Sequence, residues 1–286
     1  MAKRISVVMP SSNQAKYIAA SIESVLNQNY PDLELIVIDG GSTDGTVEIL
    51  NRFDSALSHW VSEPDRGQSH ALNKGFAAAT GEYFGWMNSD DLYAPASLRK
   101  LADRLDAGDH PSAAYGDHCE IDAAGNVTEV CYAFDLSLPH LIYEGFNFNA
   151  QSMLWTRDAH ERFGQFDESL HLTMDYDLQL RLAINEGVQN FARVSNLLVG
   201  MFRRHSEQKT IDHRPGTVDV KAQAEHRTIA AKLELHDKYT PAGRLKRRIY
   251  RFRRIYWYLR RGGVAYLSAK SRHRLAWRFP ALKGGR

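Results

Sequence analysis

Three groups of carboxylates fall where a strand or helix pattern starts or stops: Asp39, the adjacent Asp90 and Asp91, and Asp175 with Asp177. Neighbouring carboxylates repel, and a hard divalent cation that prefers oxygen ligands relieves that repulsion. A lone carboxylate at a helix start can instead take a proton from a hydroxyl. Carboxylates are also ordinary turn and N-cap residues, so any one group could serve structure alone. Gly40, Gly41 and Gly45 surround Asp39, and Gly67 follows Arg66, so the backbone there can approach a ligand closely or take positive φ. No G-x-G-x-x-G follows the first apolar run and no G-x-x-x-x-G-K-S/T occurs, which removes the most specific support for a dinucleotide-binding fold or a P-loop phosphotransferase.

The elements that must position these groups alternate. Ile5 to Met9 reads as a buried strand ending at Pro10, Ser11, Ser12 and Asn13. Ile18, Ile22, Val25 and Leu26 then recur at helical spacing as far as Tyr30-Pro31. Leu33 to Ile38 is a second strand running into Asp39 and a short helix through Val47 and Leu50. Trp60-Val61 leads through Pro64 to Gly67 into a helix with Ala71, Leu72 and Ala77. Tyr83 to Met87 ends at Asn88-Ser-Asp-Asp91, and Leu98, Leu101 and Leu105 mark the next helix. This alternation predicts a parallel sheet with its polar residues gathered at the carboxyl edge, where open α/β sheets bind ligands. Between about Ala113 and Thr156 the pattern is less regular, with strands at Ala113 to Tyr115 and Val127 to Tyr132, as in the mixed half of a sheet. A helix over 175–185, strands near Phe191 and Leu197 to Phe202, and a long polar helix after Thr217 complete the reading.

The 286 residues are 43% hydrophobic and 24% charged, which excludes a disordered chain. Two cysteines, Cys119 and Cys131, make no disulfide framework and lack metal-ligand spacing, so a reducing cytoplasm is expected. The N-terminus lacks the apolar core of a signal peptide, and no run approaches the ~18 to 20 apolar residues of a membrane span. The net charge of +2 hides a division. Residues 241–286 hold 15 Lys+Arg and no acid, leaving 21 basic against all 34 acidic residues in 1–240. Tyr239-Thr-Pro241 is therefore the expected boundary between a domain over 1–240 and a basic, aromatic-rich helical tail over 241–286.

An ordered series of segments resembles the family 2 glycosyltransferases. It comprises Ile5-Ser-Val-Val-Met-Pro10, Ala20 to Gln28, Glu34 to Thr46, Ser62-Glu-Pro-Asp-Arg-Gly-Gln68, Leu72-Asn-Lys-Gly75, Thr80-Gly-Glu-Tyr83, Asn88-Ser-Asp-Asp-Leu92 and Met174-Asp-Tyr-Asp-Leu178. Each piece alone is weak; the order is specific. The resemblance covers roughly residues 4 to 206 and implies a GT-A-type α/β fold, an open, mainly parallel mixed sheet flanked by helices. It also implies a nucleotide-sugar donor, Mg2+ or Mn2+, and inversion at the sugar's anomeric carbon.

Carried over by position, Asp39 would bond the nucleobase, with Pro10 and Ser12 lining its site. Asp65 would support the ribose, Arg66 would lie beside base or diphosphate, and Asn73 falls in a donor-site segment. Asp90 and Asp91 would hold ribose and metal, His205 could touch the metal or diphosphate, and Asp175 would be the base. Two departures stand out: Gly40 follows Asp39 where many members have a second Asp, and the strict aspartate-x-aspartate becomes Asn88-Ser89-Asp90-Asp91.

Other candidates are bland as often as functional. Arg203 and Arg204 share the position of His205, Gln151 is an acceptor-side candidate, and Trp86, Trp155 and Tyr176 could stack on a sugar or fill a core. His70 is expected on a helix surface. In the tail, Ile249, Phe252, Ile255, Tyr256 and Leu259 are spaced for one apolar helix face. The tail is read as lying on an anionic membrane surface, over the alternatives of nucleic acid, for which no recognition module is present, or of packing on its own domain. The sequence is thus expected to specify an inverting, metal-dependent transferase. It would move a sugar, UDP-linked by preference, onto a lipid-linked or surface-polysaccharide acceptor, cytoplasmic and peripheral at the inner membrane. The rivals are an inactive membrane-associated nucleotide-sugar-binding or scaffolding protein, and a nucleotidyltransferase.

Overall fold

The computed structural model describes residues 2–145, 148–209 and 217–278, with side chains in the last stretch for 220–261. The first half is a run of strand-helix units: β1 (Ile5–Ser11), α1 (Ile18–Leu26), β2 (Leu33–Asp39), α2 (Thr46–Phe53), β3 (His59–Ser62), α3 (Gln68–Ala78) and β4 (Tyr83–Trp86). After it come β5 (Leu92–Tyr93), α4 (Ser97–Leu105), β6 (Ala113–Ile121), β7 (Val127–Cys131), α5 (Leu138–Glu144), β8 (Met153–Thr156), α6 (Arg157–Phe163), α7 (Met174–Asn185), β9 (Phe191–Arg203), α8 (Thr217–Lys232) and α9 (Pro241–Arg278). The sheet order is β3-β2-β1-β4-β8-β6-β9-β5, with β7 paired to β6. The β3-β2-β1-β4 half is parallel, β8 is antiparallel to both β4 and β6, and β9 runs parallel to β6. This is the mixed, mainly parallel α/β sheet that the alternation predicts.

The continuous apolar runs of β1 and β2 follow from burial on both faces. Val8, Ile36, Ile38, Phe84 and Trp86 belong to one core, and Val7, Met9, Leu35, Val37 and Tyr83 to the other. Gly75 lets α3 lie close on β1, since a Cβ there would overlap the Val8 side chain. Parts of the sequence reading change, and one open choice is settled. The strands near Phe191 and Leu197 form one strand, β9, whose register against β6 shifts between Tyr115 and Asp117 and which carries Asn196 at φ 58°. Helix α5 fills part of the irregular region. Trp155 and Tyr176 are wholly buried, so they pack the core rather than stack on a ligand.

Helix α9 is held on α5. The Glu144 carboxylate, 1% exposed, faces Arg247 at 3.4 Å, Arg251 at 3.3 Å and Arg254 at 2.8 Å. Tyr250 stacks on Tyr143 with ring centres 5.9 Å apart, Trp257 packs on Phe134, and Arg261 pairs with Asp117 at 3.3 Å. The inner face of the tail helix is thus spent on its own domain. Residues 279–286, including Phe279, lie outside the described residues. Among the described residues no helix is long and apolar enough to cross a membrane.

A buried carboxylate shared by three arginines dominates this docking. Glu144→Ala is expected to speed amide exchange across 244–261 at least about tenfold while leaving β1 to β4 protected. Unchanged exchange in α9 would show that the aromatic contacts alone hold it.

Candidate active site

A cleft of ≈ 370 Å³ opens at the carboxyl edge of the parallel strands. Its walls come from segments far apart in sequence: Pro10 to Ser12 at the end of β1, Asp65, Gly67 and Gln68 entering α3, Asn88 to Asp90 after β4, Asn149 to Gln151 before β8, Leu172, Met174 and Asp175 at the start of α7, and Phe202, Gln208 and Lys209 around and beyond the end of β9. Pro10, Ser12, Asp65, Asp90 and Asp175 are therefore brought together. Trp86 and Gln151 also line the cleft.

Asp39, Arg66, Asn73, Asp91 and His205 do not line it. Asp39 is fully buried and accepts from Ser42 N (2.8 Å), Ser42 Oγ (2.5 Å) and Ser62 Oγ (2.7 Å), closing the turn after β2. Asp65, which does face the cleft, takes the Gly67 N–H at 2.7 Å and packs against Gly40, where a Cβ would stand 2.9 Å from its Oδ2. The glycine that departs from the family pattern makes room for that carboxylate. Arg66 points outward and pairs with Glu168 at 2.7 Å. The Asn73 amide holds the backbone of Phe166 through both its oxygen (2.8 Å) and its nitrogen (2.9 Å). His70 sits half-buried on α3 and accepts from Arg66 N at 3.4 Å.

The adjacent carboxylates at 90 and 91 part company. Asp91 is buried, its Oδ1 accepting from Arg203 N (2.7 Å) and its Oδ2 from Asn88 Nδ2 (3.0 Å) and Gln151 Nε2 (3.0 Å). Burial, then the charge of Asp90, pushes its pKa well above the ordinary range. Both Asp91 oxygens are thus engaged within the floor of the site, and Asp91 does not line the cleft. The second departure from the pattern now has a reason. The Asn88 side chain accepts from Trp86 Nε1 (2.8 Å) and Gln68 Nε2 (2.9 Å) while donating to Asp91, and an ionised aspartate could not donate. Arg203, whose guanidinium meets the carbonyls of Asp90, Asp122 and Ala123, braces the same floor, and Arg204 pairs with Glu120 at 2.7 Å.

Asp90 faces the cleft, with its Oδ2 3.0 Å from His205 Nε2. His205 is buried behind it, its ring against Tyr17 at 4.6 Å and its Nδ1 without a hydrogen-bond partner among the described residues. A carboxylate and an imidazole this close suit a shared divalent ion. Among the described residues no group of three His, Cys, Asp or Glu is placed to hold a metal, so the pair fits an ion whose remaining ligands come from a bound anion and water.

On the opposite wall Asp175 starts α7, its Oδ1 accepting Tyr176 N at 2.8 Å. Burial, assisted by the charge of Glu225, raises its pKa to about 6, although Tyr176 N–H and Lys209 oppose the shift. Two residues that sequence reasoning passed over support it. Glu225 on α8 accepts from the backbone of His171, Leu172 and Thr173 at 2.9 to 3.0 Å, fixing the strap that leads into α7. Lys209 bonds Gln68 Oε1 at 2.9 Å, and its charge acts on Asp175 and Asp65; partial desolvation by the surrounding cleft lowers its pKa. Neither lies in a periodic or motif-bearing segment, so no local signal marked them.

Residues 6–122 match the sequence model of Glycosyl transferase family 2, as the resemblance implied. An uncharacterized glycosyltransferase of Rickettsia typhi is 30% identical over 188 residues, covering 61% of this chain and 57% of that protein. Chondroitin synthase of Escherichia coli is 28% identical over 181 residues, covering 63% of this chain and 26% of that one. The chain spans 34% and 57% of the length of two curated relatives it matches. In fold, it superposes on S. aureus TarS 1–349 in complex with UDP-GlcNAc at a TM-score of 0.60, with 18% identity over 84% of this chain and 74% of that one. The mannosyltransferase PcManGT from Pyrobaculum calidifontis, in complex with GDP-Man and Mn2+, gives a TM-score of 0.58 with 19% identity over 100% of this chain and 77% of that one. These neighbours establish a GT-A-type fold.

Asp91→Ala strands three buried donors and is expected to cost on the order of 3 kcal/mol, whereas Asp90→Ala costs under about 1 kcal/mol; urea unfolding distinguishes them. Equal, small losses would return Asp91 to the cleft.

Asp175 gives a second test. Its carboxyl titrates near 6 when folded against an ordinary 3.8, so the folded state binds the proton more tightly, and stability is lost as pH rises through that window. Asp175→Asn is expected to be more stable than the parent by about 1–3 kcal/mol near pH 8 and no more stable below about pH 4. A constant difference across pH would contradict the raised pKa.

Proposed function

We propose that this chain, built on the family 2 glycosyltransferase fold, is an inverting, metal-dependent transferase. In this reading it moves a sugar from a nucleoside diphosphate, UDP by preference, to a hydroxyl of a lipid-linked or surface-polysaccharide precursor at the cytoplasmic face of a membrane. The observation that carries this reading is the convergence of Asp65, Asp90 and Asp175 from three separate segments on one cleft, with Lys209 among them. The domain over 1–240 supplies the chemistry.

In this reading Pro10, Ser12 and Asp65 line the nucleoside end, and Asp39, Arg66 and Asn73 act through the loops they hold. Asp90 and His205 are the residues that would hold Mg2+ or Mn2+. When bound, such an ion offsets the charge that grows on the diphosphate as the glycosidic bond breaks. Lys209 adds a positive charge in the same cleft. Asp175 accepts the proton of the acceptor hydroxyl; that oxygen bonds the anomeric carbon from the opposite face, and the nucleoside diphosphate leaves with the electron pair of the broken bond. One displacement inverts the configuration. A base titrating near 6 is ionised at neutral pH yet still basic enough to help, a contribution of typically about 10²- to 10⁴-fold.

UDP with Mn2+ is expected to raise the thermal midpoint of the parent and of Asp175→Asn alike. Transfer by Asp175→Asn should fall at least about 100-fold, and parental kcat/KM should decline tenfold per pH unit below about 6. Parental turnover by Asp175→Asn would reject it as the base. The absence of any nucleotide-dependent shift would reject sugar transfer.

A further inference from the structure

We propose that the outward face of α9 is a docking surface for the interfacial layer of an anionic lipid bilayer. This deepens the proposed function by naming what presents the acceptor, and it rests on that reading only for its purpose. Two opposed faces of one helix carry the inference. The inner face, with Arg247, Tyr250, Arg251, Arg254, Trp257, Tyr258 and Arg261, is engaged by Glu144, Tyr143, Phe134 and Asp117. The outer face has a continuous apolar row instead: Leu245 (59% exposed), Ile249 (49%), Phe252 (71%), Tyr256 (63%) and Leu259 (38%).

These five residues recur at alternating intervals of four and three, which keeps them on one stripe of an α-helix. Large apolar side chains left this open over more than three turns mark a contact surface. Their borders choose the occupant. Exposed Arg244 and Arg248 flank one side of the row and exposed Arg253 and Arg260 the other, and residues 241–286 contain no Asp or Glu. A second copy packed on the same stripe would bring like-charged borders together with no acid on either helix to pair them. An anionic bilayer satisfies both features, because apolar side chains enter the acyl boundary while arginines reach back to the headgroup phosphates. The row cannot span a bilayer, since no described helix is long and apolar enough. It lies in the interface.

The docking is not a loose tether. Helix α5, which receives the inner face, ends at Glu144, a few residues before the cleft wall at Asn149 to Gln151. It also accepts, through the carbonyls of Leu141 and Ile142, the hydroxyl of Tyr176, the neighbour of Asp175. Lipid contact at the stripe therefore fixes the cleft's orientation to the bilayer surface.

The test is co-sedimentation of the full chain with phosphatidylcholine vesicles, with or without phosphatidylglycerol, over a salt series. Binding is expected only with phosphatidylglycerol and should weaken as salt rises. The double variant Phe252→Ser/Tyr256→Ser should bind at least about tenfold more weakly with an unchanged thermal midpoint, since neither side chain is buried. Arg248→Glu/Arg260→Glu should lose the preference for the anionic lipid. Equal binding to both vesicles, or parental binding by the serine variant, would overturn the proposal. So would a lipid-independent dimer abolished by the serine variant, which would assign the surface to a second copy. No donor or acceptor enters this measurement, so its failure leaves sugar transfer standing, and loss of sugar transfer leaves the vesicle result standing.

Discussion

A carboxylate removed from water must be given donors, and the way Asp91 is supplied organises the cleft. Its donors come from the end of β4 (Asn88), the segment before β8 (Gln151) and the end of β9 (Arg203), three stretches the chain order keeps far apart. Each donor has a second task. Asn88 also receives Trp86 and Gln68, Gln151 forms cleft wall, and the Arg203 guanidinium grips the carbonyls of Asp90, Asp122 and Ala123. In such a network loss of one partner strands the others, so the floor behaves as one rigid unit. Rigidity there holds the neighbouring Asp90 between the cleft and the buried His205.

The opposite wall works by the reverse logic. Among the described residues Asp175 is met by backbone N–H groups alone, chiefly that of Tyr176, where Asp91 takes donors from three separate segments, and desolvation without full compensation raises its pKa to about 6. The arrangement sacrifices stability at neutral pH and gains proton affinity in return. It holds because Glu225 takes the backbone N–H groups of residues 171 to 173 and keeps the strap from relaxing, while Lys209 limits how far the shift can go. Through Glu225, a residue with no motif to mark it, the polar helix α8 thereby helps set the position of Asp175.

What was legible in the sequence follows the range of the interactions involved. The βα units up to Leu105 rest on short-range periodicity and turn chemistry, so their strands, and the edge at which Asp65, Asp90 and Asp175 meet, could be read directly. The direction in which a side chain points after a strand ends is not periodic. Asp90 and Asp91 are indistinguishable by type and neighbours, yet one faces the cleft and the other the interior. Arg66 and Asn73 stand in the expected segment but are claimed by Glu168 and Phe166, about a hundred residues on, a pairing no local pattern encodes. Helix α5 is short, with seven residues, and its stability comes from α9 and Tyr176 rather than from its own sequence.

The division of charge between the two parts of the chain also takes a physical form. An acidic domain and a basic helix attract, but the attraction seen is local: one carboxylate, Glu144, serves three arginines, and Asp117 serves a fourth. Most of the domain's acids are committed elsewhere, to turns, to the cleft and to surface pairs, so docking leaves the positive charge of α9 largely uncompensated. The helix turns Tyr250, Trp257 and Tyr258 inward against Tyr143 and Phe134 and leaves Leu245, Ile249, Phe252, Tyr256 and Leu259 exposed on its outer side. A helix whose role ended at packing on its domain would not need a row of large apolar side chains on its solvent side. The observed arrangement makes sense when the domain fixes the helix and a second, apolar and anionic phase receives it.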